Sequence, residues 1–190
     1  MQDPDAAPSA LLVMDVQRGI MERYGDAALL ERLSSALAAA RKAGLTVIFV
    51  RVAFRPGHPE ISSSNRSFST LRDSPDLDEG GAATEVHPAV APLSGEVVVT
   101  KRRVSAFSGS DLDVVLRAGG IGTLVLCGIA TSGVVLSTVR AAADLDFRLV
   151  VLADACGDRD PEVHRVLTEK VFPRQAEVMT VEAWAHRLQA

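Results

Sequence analysis
Short apolar runs alternating with helix-forming stretches constrain this chain more than any other feature. The runs lie at residues 9–16, 45–53, 95–101, 123–128, 147–153 and 177–181. Most are continuously apolar, the pattern of strands covered on both faces. Between them, residues 28–43 are rich in Ala, Leu, Glu and Arg and stop at Gly44, which reads as a helix with a glycine C-cap. Further helices are predicted over 111–118 (Ser110 as cap, Gly119 and Gly120 as stop), over 132–144, from Asp160-Pro161 to Phe172, and around Trp184 and Leu188. Strands alternating with helices imply parallel strands joined by right-handed helical crossovers. The fold class is therefore α/β, a three-layer α/β/α sandwich around a mostly parallel six-stranded sheet.

A chain of 190 residues fits one domain, and its 47% apolar content supplies a sizeable core. The domain is expected to span 9–190, with residues 1–8 as a frayed tail. Net charge is −4, which argues against a nucleic-acid partner. No apolar run is long enough to cross a bilayer, so no membrane association is expected. The start, MQDPDAAPSA, lacks the basic and apolar segments of a secretory signal. A cytoplasmic location is the simplest expectation. Residues 54–92 are rich in Ser, Pro, Gly and charge. A structureless stretch this long is usually a lid or binding loop, and it is expected to form a semi-ordered excursion over a pocket mouth.

Ligands of open α/β sheets bind outside the carboxyl ends of the strands. Three such ends carry notable residues. Asp15 closes the first run in LLVMDVQ. In an apolar pocket its carboxyl would be tuned by burial and by any nearby ammonium, as a general acid or base requires; on position alone it is equally a turn or capping aspartate. Lys101 closes the third run beside Arg102 and Arg103. It could charge-balance Asp15 or polarise a carbonyl, although a lone lysine there reads as surface, and the three cations could form an anion-attracting rim. The third end is GIATSGVV, where a helix begins near Ser132. Free N–H groups at a helix start can cradle an oxyanion or a carboxylate; the plainer reading is a β–α turn capped by Thr131 or Ser132. Val134 and Val135 stand where a phosphate-binding loop would need Lys and Ser/Thr, and no G-x-S-x-G elbow is present. Cys127 and Cys156 read as reduced, small apolar residues. The four histidines, His58, His87, His164 and His186, show no triad spacing.

Taken in order, these pieces resemble the isochorismatase-like hydrolases, or cysteine hydrolase superfamily. The shared pattern is Asp15-Val16-Gln17, Lys101 ahead of Ser105-Ala106-Phe107, Gly128 and Thr131 of a Gly-x-x-Thr-x-x-Cys-Val turn, Thr138-Val139-Arg140, and Asp154-Ala155. The resemblance covers residues 9 to 182. It implies a Rossmann-like sheet, a homodimer or larger assembly, and hydrolysis of small molecules: amides, N-carbamoyl compounds or a vinyl ether. It implies catalytic roles for Asp15 and Lys101. It further implies substrate contacts from Gln17, Phe54, Phe107 and the Ile129, Ala130, Thr131, Ser132 and Gly133 turn, with a cis peptide at Ile129–Ala130. Counted from Gly128 and Thr131, the family's nucleophilic cysteine falls on Val134. Isochorismatases within the family also lack that cysteine, so the expected chemistry is Asp/Lys acid–base hydrolysis without a thiol, nearer to vinyl ether than to amide cleavage. The alternatives are a non-catalytic metabolite binder, or an amide or carbamoyl hydrolase using water or Ser132. Zinc-binding relatives carry an Asp and two His after the second strand; the equivalent RVAFRPGHPE has His58 and Glu60 but no matching Asp. No metal or cofactor is expected.

Overall fold
A computed structural model describes residues 7–24 and 26–189. Its centre is a six-stranded, wholly parallel sheet. The strands are β1 (Ser9–Met14), β2 (Thr46–Val52), β3 (Val97–Lys101), β4 (Thr123–Ile129), β5 (Arg148–Gly157) and β6 (Glu177–Met179), and they lie in the order β3-β2-β1-β4-β5-β6. The helices are α1 (Arg18–Tyr24), α2 (Ala27–Lys42), α3 (Leu112–Ala118), α4 (Leu136–Asp144), α5 (Pro161–Val166) and α6 (Val181–Arg187). Right-handed crossovers put α2 on one sheet face and α3, α4 and α5 on the other; α6 returns to pack against α2.

The core follows from the sequence pattern. In α2, Asp26 caps the first turn by accepting the Leu29 N–H at 3.0 Å. Leu29, Leu33, Ala36, Leu37 and Ala40 then fall on one face and are buried against the sheet. β1 and β4 lie at the centre, and nearly all their residues are buried. The chain departs from β1 in one direction and from β4 in the other, so a crevice opens at their carboxyl ends.

Several boundaries differ from the sequence reading. β5 runs on past Ala153 to Gly157, because a register shift between Leu126 and Gly128 lets it keep pairing with β4. β6 stops at Met179; Val181 opens α6 instead, with Thr180 as its cap. The helix expected up to Phe172 is α5 followed by a wider turn at Leu167–Val171 and a 3-10 turn, Phe172–Arg174, that absorbs Pro173. The sequence reading has no counterpart of α1, which buries only Met21, too little for an amphipathic signal. The frayed-tail expectation falls mostly on residues 1–6, outside the described residues. Pro8 is tied down, its carbonyl accepting the Gly122 N–H at 2.9 Å.

The long excursion between β2 and β3 is more ordered than its composition suggests. It winds through short 3-10 turns and builds its own apolar cluster from Val52, Phe54, Ile61 and Phe68. Arg102 rivets it to β3, pairing with Glu79 at 2.8 Å and Glu60 at 3.7 Å and donating to the Ala53 carbonyl. Arg103 donates to the Glu60 carbonyl at 2.9 Å. These arginines fasten the excursion rather than form a free cationic rim. Among the described residues, no helix is long and apolar enough to cross a membrane.

Candidate active site
Asp15 directly follows β1, and Lys101 is the last residue of β3. β2 lies between those strands, so their backbones are two strand spacings apart, about 10 Å. A lysine is long enough to cross that gap. Its Nζ reaches Asp15 Oδ2 at 2.9 Å, with Lys101 2% and Asp15 6% exposed. The ammonium also donates to the Arg103 carbonyl at 2.9 Å. The other carboxylate oxygen, Asp15 Oδ1, is buried without a hydrogen-bond partner among the described residues. Burial pushes the Asp15 carboxyl above its ordinary range, and the Lys101 charge and hydrogen bond pull against that without overcoming it. Asp15 is also in the left-handed backbone region (φ 57°), which disfavours non-glycine residues. A buried ion pair with an unsatisfied oxygen contributes little to stability. Such tuned groups cluster at functional sites.

The turn after β4 begins beside Asp15, since Met14 pairs with Gly128 on the neighbouring strand. The Ile129–Ala130 peptide is cis. Residues 131–135 make a wide turn in which Gly133 departs from helical geometry (φ −100°, ψ −105°). The whole turn is not open to an outside anion. The Ser132 N–H donates to Asp158 Oδ2 at 2.7 Å, and the Gly133 N–H to the Ala130 carbonyl at 3.0 Å. Burial acts to raise the Asp158 carboxyl, but the hydrogen bonds from Ser132 and neighbouring backbone prevail and hold it below the ordinary range. Thr131, fully buried, shares a 2.8 Å hydrogen bond with His164 Nδ1.

Beside the cis peptide lies an open cleft of 290 Å³ lined by Ile20, Arg23, Tyr24, Ile129, Ala130 and Arg159. The Arg159 guanidinium sits 5.6 Å from the centre of the Tyr24 ring. Arg23 also faces Asp76 at 3.6 Å in an exposed pair, which contributes little; with Arg159, the phenol and an apolar floor, the cleft suits a small molecule with an anionic end. Arg23, Tyr24, Asp158, Arg159 and His164 are absent from the sequence-based site. The strand-end rule singles out three strands there; extended to β5, it reaches Asp158 and Arg159.

Other predicted site residues have structural employment. Gln17 is 1% exposed, and its amide is consumed by the excursion and β2: Nε2 donates to the Val52 and Thr84 carbonyls at 2.9 and 3.1 Å, and Oε1 accepts the Val52 N–H at 2.8 Å. Phe54 is buried in the excursion's cluster, 5.5 Å from the Phe68 ring. Phe107 packs 6.1 Å from Phe147, which precedes β5 and so lies towards the sheet's amino end. Ile129, Val134 and Thr131 are buried, Ala130 and Gly133 half-buried, and Ser132 is exposed on the side facing Asp158. His58 is buried with Nε2 2.9 Å from Asp78. Among the described residues, no group of three or more His, Cys, Asp or Glu could hold a metal ion. Both thiols are buried; burial holds Cys127 well above its ordinary range and pushes Cys156 up to about 12. Neither is a nucleophile near neutral pH.

Comparison with known proteins agrees with this architecture. The isochorismatase domain family matches residues 9–183. An isochorismatase family protein of Bacillus subtilis, YwoC, is 31% identical over 97% of this chain and 96% of its own length. A ureidoacrylate amidohydrolase, RutB, of Stutzerimonas stutzeri is 35% identical over 94% of this chain and 78% of its own. The crystal structure of a cysteine hydrolase from Pseudomonas syringae pv. phaseolicola superposes with a TM-score of 0.87 at 25% identity, covering 100% of this chain and 99% of that one.

Proposed function
The chain belongs to the isochorismatase family and is a hydrolase; from that premise we propose that it cleaves a small anionic substrate with the Asp15–Lys101 pair and water, without a covalent intermediate. The observation that carries this reading is the pair itself: a buried carboxyl raised by desolvation, held by an ammonium at 2.9 Å, with one oxygen unengaged. In the family's Gly-x-x-Thr-x-x-Cys register Val134 takes the cysteine's place, so the turn offers no thiol. Ser132 is a weaker candidate nucleophile, because the neighbouring carboxylate, Asp158, takes its backbone N–H rather than its hydroxyl and is held below the ordinary carboxylate range, which makes it a poor base.

For a vinyl ether, the Asp15 carboxyl gives its proton to the enol carbon. Water then adds to the resulting oxocarbenium carbon, and the hemiketal collapses to a carbonyl and a free alcohol as a proton returns to Asp15. The second reading is favoured by the ureidoacrylate amidohydrolase relative. Here the Asp15 carboxylate takes a proton from water as it attacks an amide or carbamoyl carbon, and that proton leaves with the nitrogen. In either case Lys101 balances the charge on Asp15, and Arg23 and Arg159 hold the anionic end of the substrate.

The test is a panel of vinyl ethers, primary amides and carbamoyl compounds, each with a carboxylate, followed by a pH profile on whichever is turned over. A general acid must carry its proton, so in the first reading kcat/KM falls as pH rises through a midpoint above the ordinary carboxylate range. A general base must be ionised, so in the second it falls as pH drops through that midpoint. Turnover of neither class would sink both readings. A separate check concerns the register of the turn. Val134→Cys is expected to create a thiol that iodoacetamide alkylates faster than Cys127 or Cys156: Val134 is itself only 2% exposed, so the difference comes from turn N–H groups that favour its thiolate, against burial that raises the other two thiols. Equal labelling of all three would place Val134 away from the nucleophile position.

A further inference from the structure
One segment grips two consecutive residues of the turn after β4. Asp158, just beyond β5, takes the Ser132 N–H at 2.7 Å, and His164, in α5, holds the Thr131 hydroxyl at 2.8 Å. Neither contact is needed to close the sheet: β4 ends at Ile129 and α4 begins at Leu136. A hydroxyl beside a histidine has the look of an activated nucleophile, but Thr131 is 0% exposed and cannot meet a substrate. A fully buried hydroxyl needs a partner, and here that partner fixes the first residue after the cis peptide. The turn bends out of helical geometry at Gly133; its backbone engages the Gly133 and Val135 N–H groups, both on the Ala130 carbonyl at 3.0 and 3.2 Å, and leaves the Ser132 N–H and the Thr131 hydroxyl to side-chain partners.

We propose that His164, acting with Asp158, is a positioning residue of the active site: the two side chains clamp the 131–135 turn so that its remaining N–H groups face the cleft beside Ala130. Asp158 also sits next to Arg159, which lines that cleft with Tyr24. One short segment thus sets both the turn and a wall of the pocket. His164 touches no substrate and acts only through Thr131.

The turnover arm of the test rests on the hydrolytic reading above. His164→Leu removes the hydrogen bond, whereas His164→Asn can return a polar atom near the position of Nδ1. Misplacement of a catalytic element by about 1 Å can cost on the order of 100-fold in rate. His164→Leu is therefore expected to lower kcat by roughly 10- to 100-fold with little change in KM, and His164→Asn to recover most of the loss, with circular dichroism reporting the fold of each. A second arm needs no substrate. N–H groups at a helix start favour a thiolate, so in the Val134→Cys protein the added His164→Leu change should slow iodoacetamide alkylation of the introduced thiol several-fold, and His164→Asn should restore it. Alkylation at an unchanged rate, or a loss of kcat that His164→Asn does not restore, would overturn the clamp. Slowed alkylation in a protein that turns over no substrate would support the clamp while removing the hydrolytic reading.

Discussion

Asp15→Asn should lower kcat by roughly 100- to 10,000-fold, the range for loss of a positioned proton carrier, with the protein still folded. The replacement keeps the shape of the side chain and removes only its ability to give or take a proton. Lys101 Nζ would retain the Arg103 carbonyl and could still donate to the amide oxygen of the new side chain. Stripping a buried ion of its partner costs about 3–5 kcal/mol; with an acceptor left in place, the loss of stability should fall below that. Steady-state kinetics on the substrate found by the panel, set beside a thermal melt, separates the two effects. Parent-like turnover in a folded Asp15→Asn protein would take Asp15 out of the mechanism.

Gly128→Ala is expected to be the most damaging single methyl group in the chain. Gly128 pairs with Met14 where β1 and β4 run side by side into the site, and its φ is 133°, where side chains are rarely tolerated. An added Cβ would overlap the Met14 carbonyl oxygen and lie 2.8 Å from its carbon and 2.9 Å from its nitrogen. All three are backbone atoms in the middle of the sheet, so nothing flexible can yield. Overpacking together with a disallowed φ should cost on the order of 4 kcal/mol. For a domain of this size that is a fall in Tm of about 10 °C or more, readable by calorimetry. A melt within a degree or two of the parent would show that β1 and β4 can separate there.

Much of the fold is visible in local sequence. The continuous apolar runs mark the strands because a sheet covered on both faces makes every position apolar. The spacing of Leu29, Leu33, Leu37 and Ala40 marks the face of α2 for a similar reason. Sequence and structure part where tertiary contacts outweigh local pattern. Residues 54–92 read as a semi-ordered excursion because their composition is polar; what their sequence does not announce is that Gln17, Arg102 and Arg103 supply fixed partners from elsewhere in the chain. Phe107 follows Lys101 in sequence, but the chain turns back and carries it to Phe147. β5 outruns its apolar segment because pairing with β4 resumes after an irregularity that no local signal announces.

The candidate site divides in the same way. Asp15, Lys101 and the 128–134 turn can be picked out from the ends of apolar runs, since parallel strands bring their carboxyl ends to one edge of the sheet whatever lies between. Sequence alone therefore determined the layered architecture and the edge of the sheet at which the candidate site residues gather. Only the folded chain decided that a lysine spans β2 to meet an aspartate, that Asp158 occupies part of the turn expected to hold an anion, and that His164 grips Thr131. Those outcomes depend on side-chain reach and burial between residues 26 to 86 positions apart, and separations of that size leave no periodic trace in the chain.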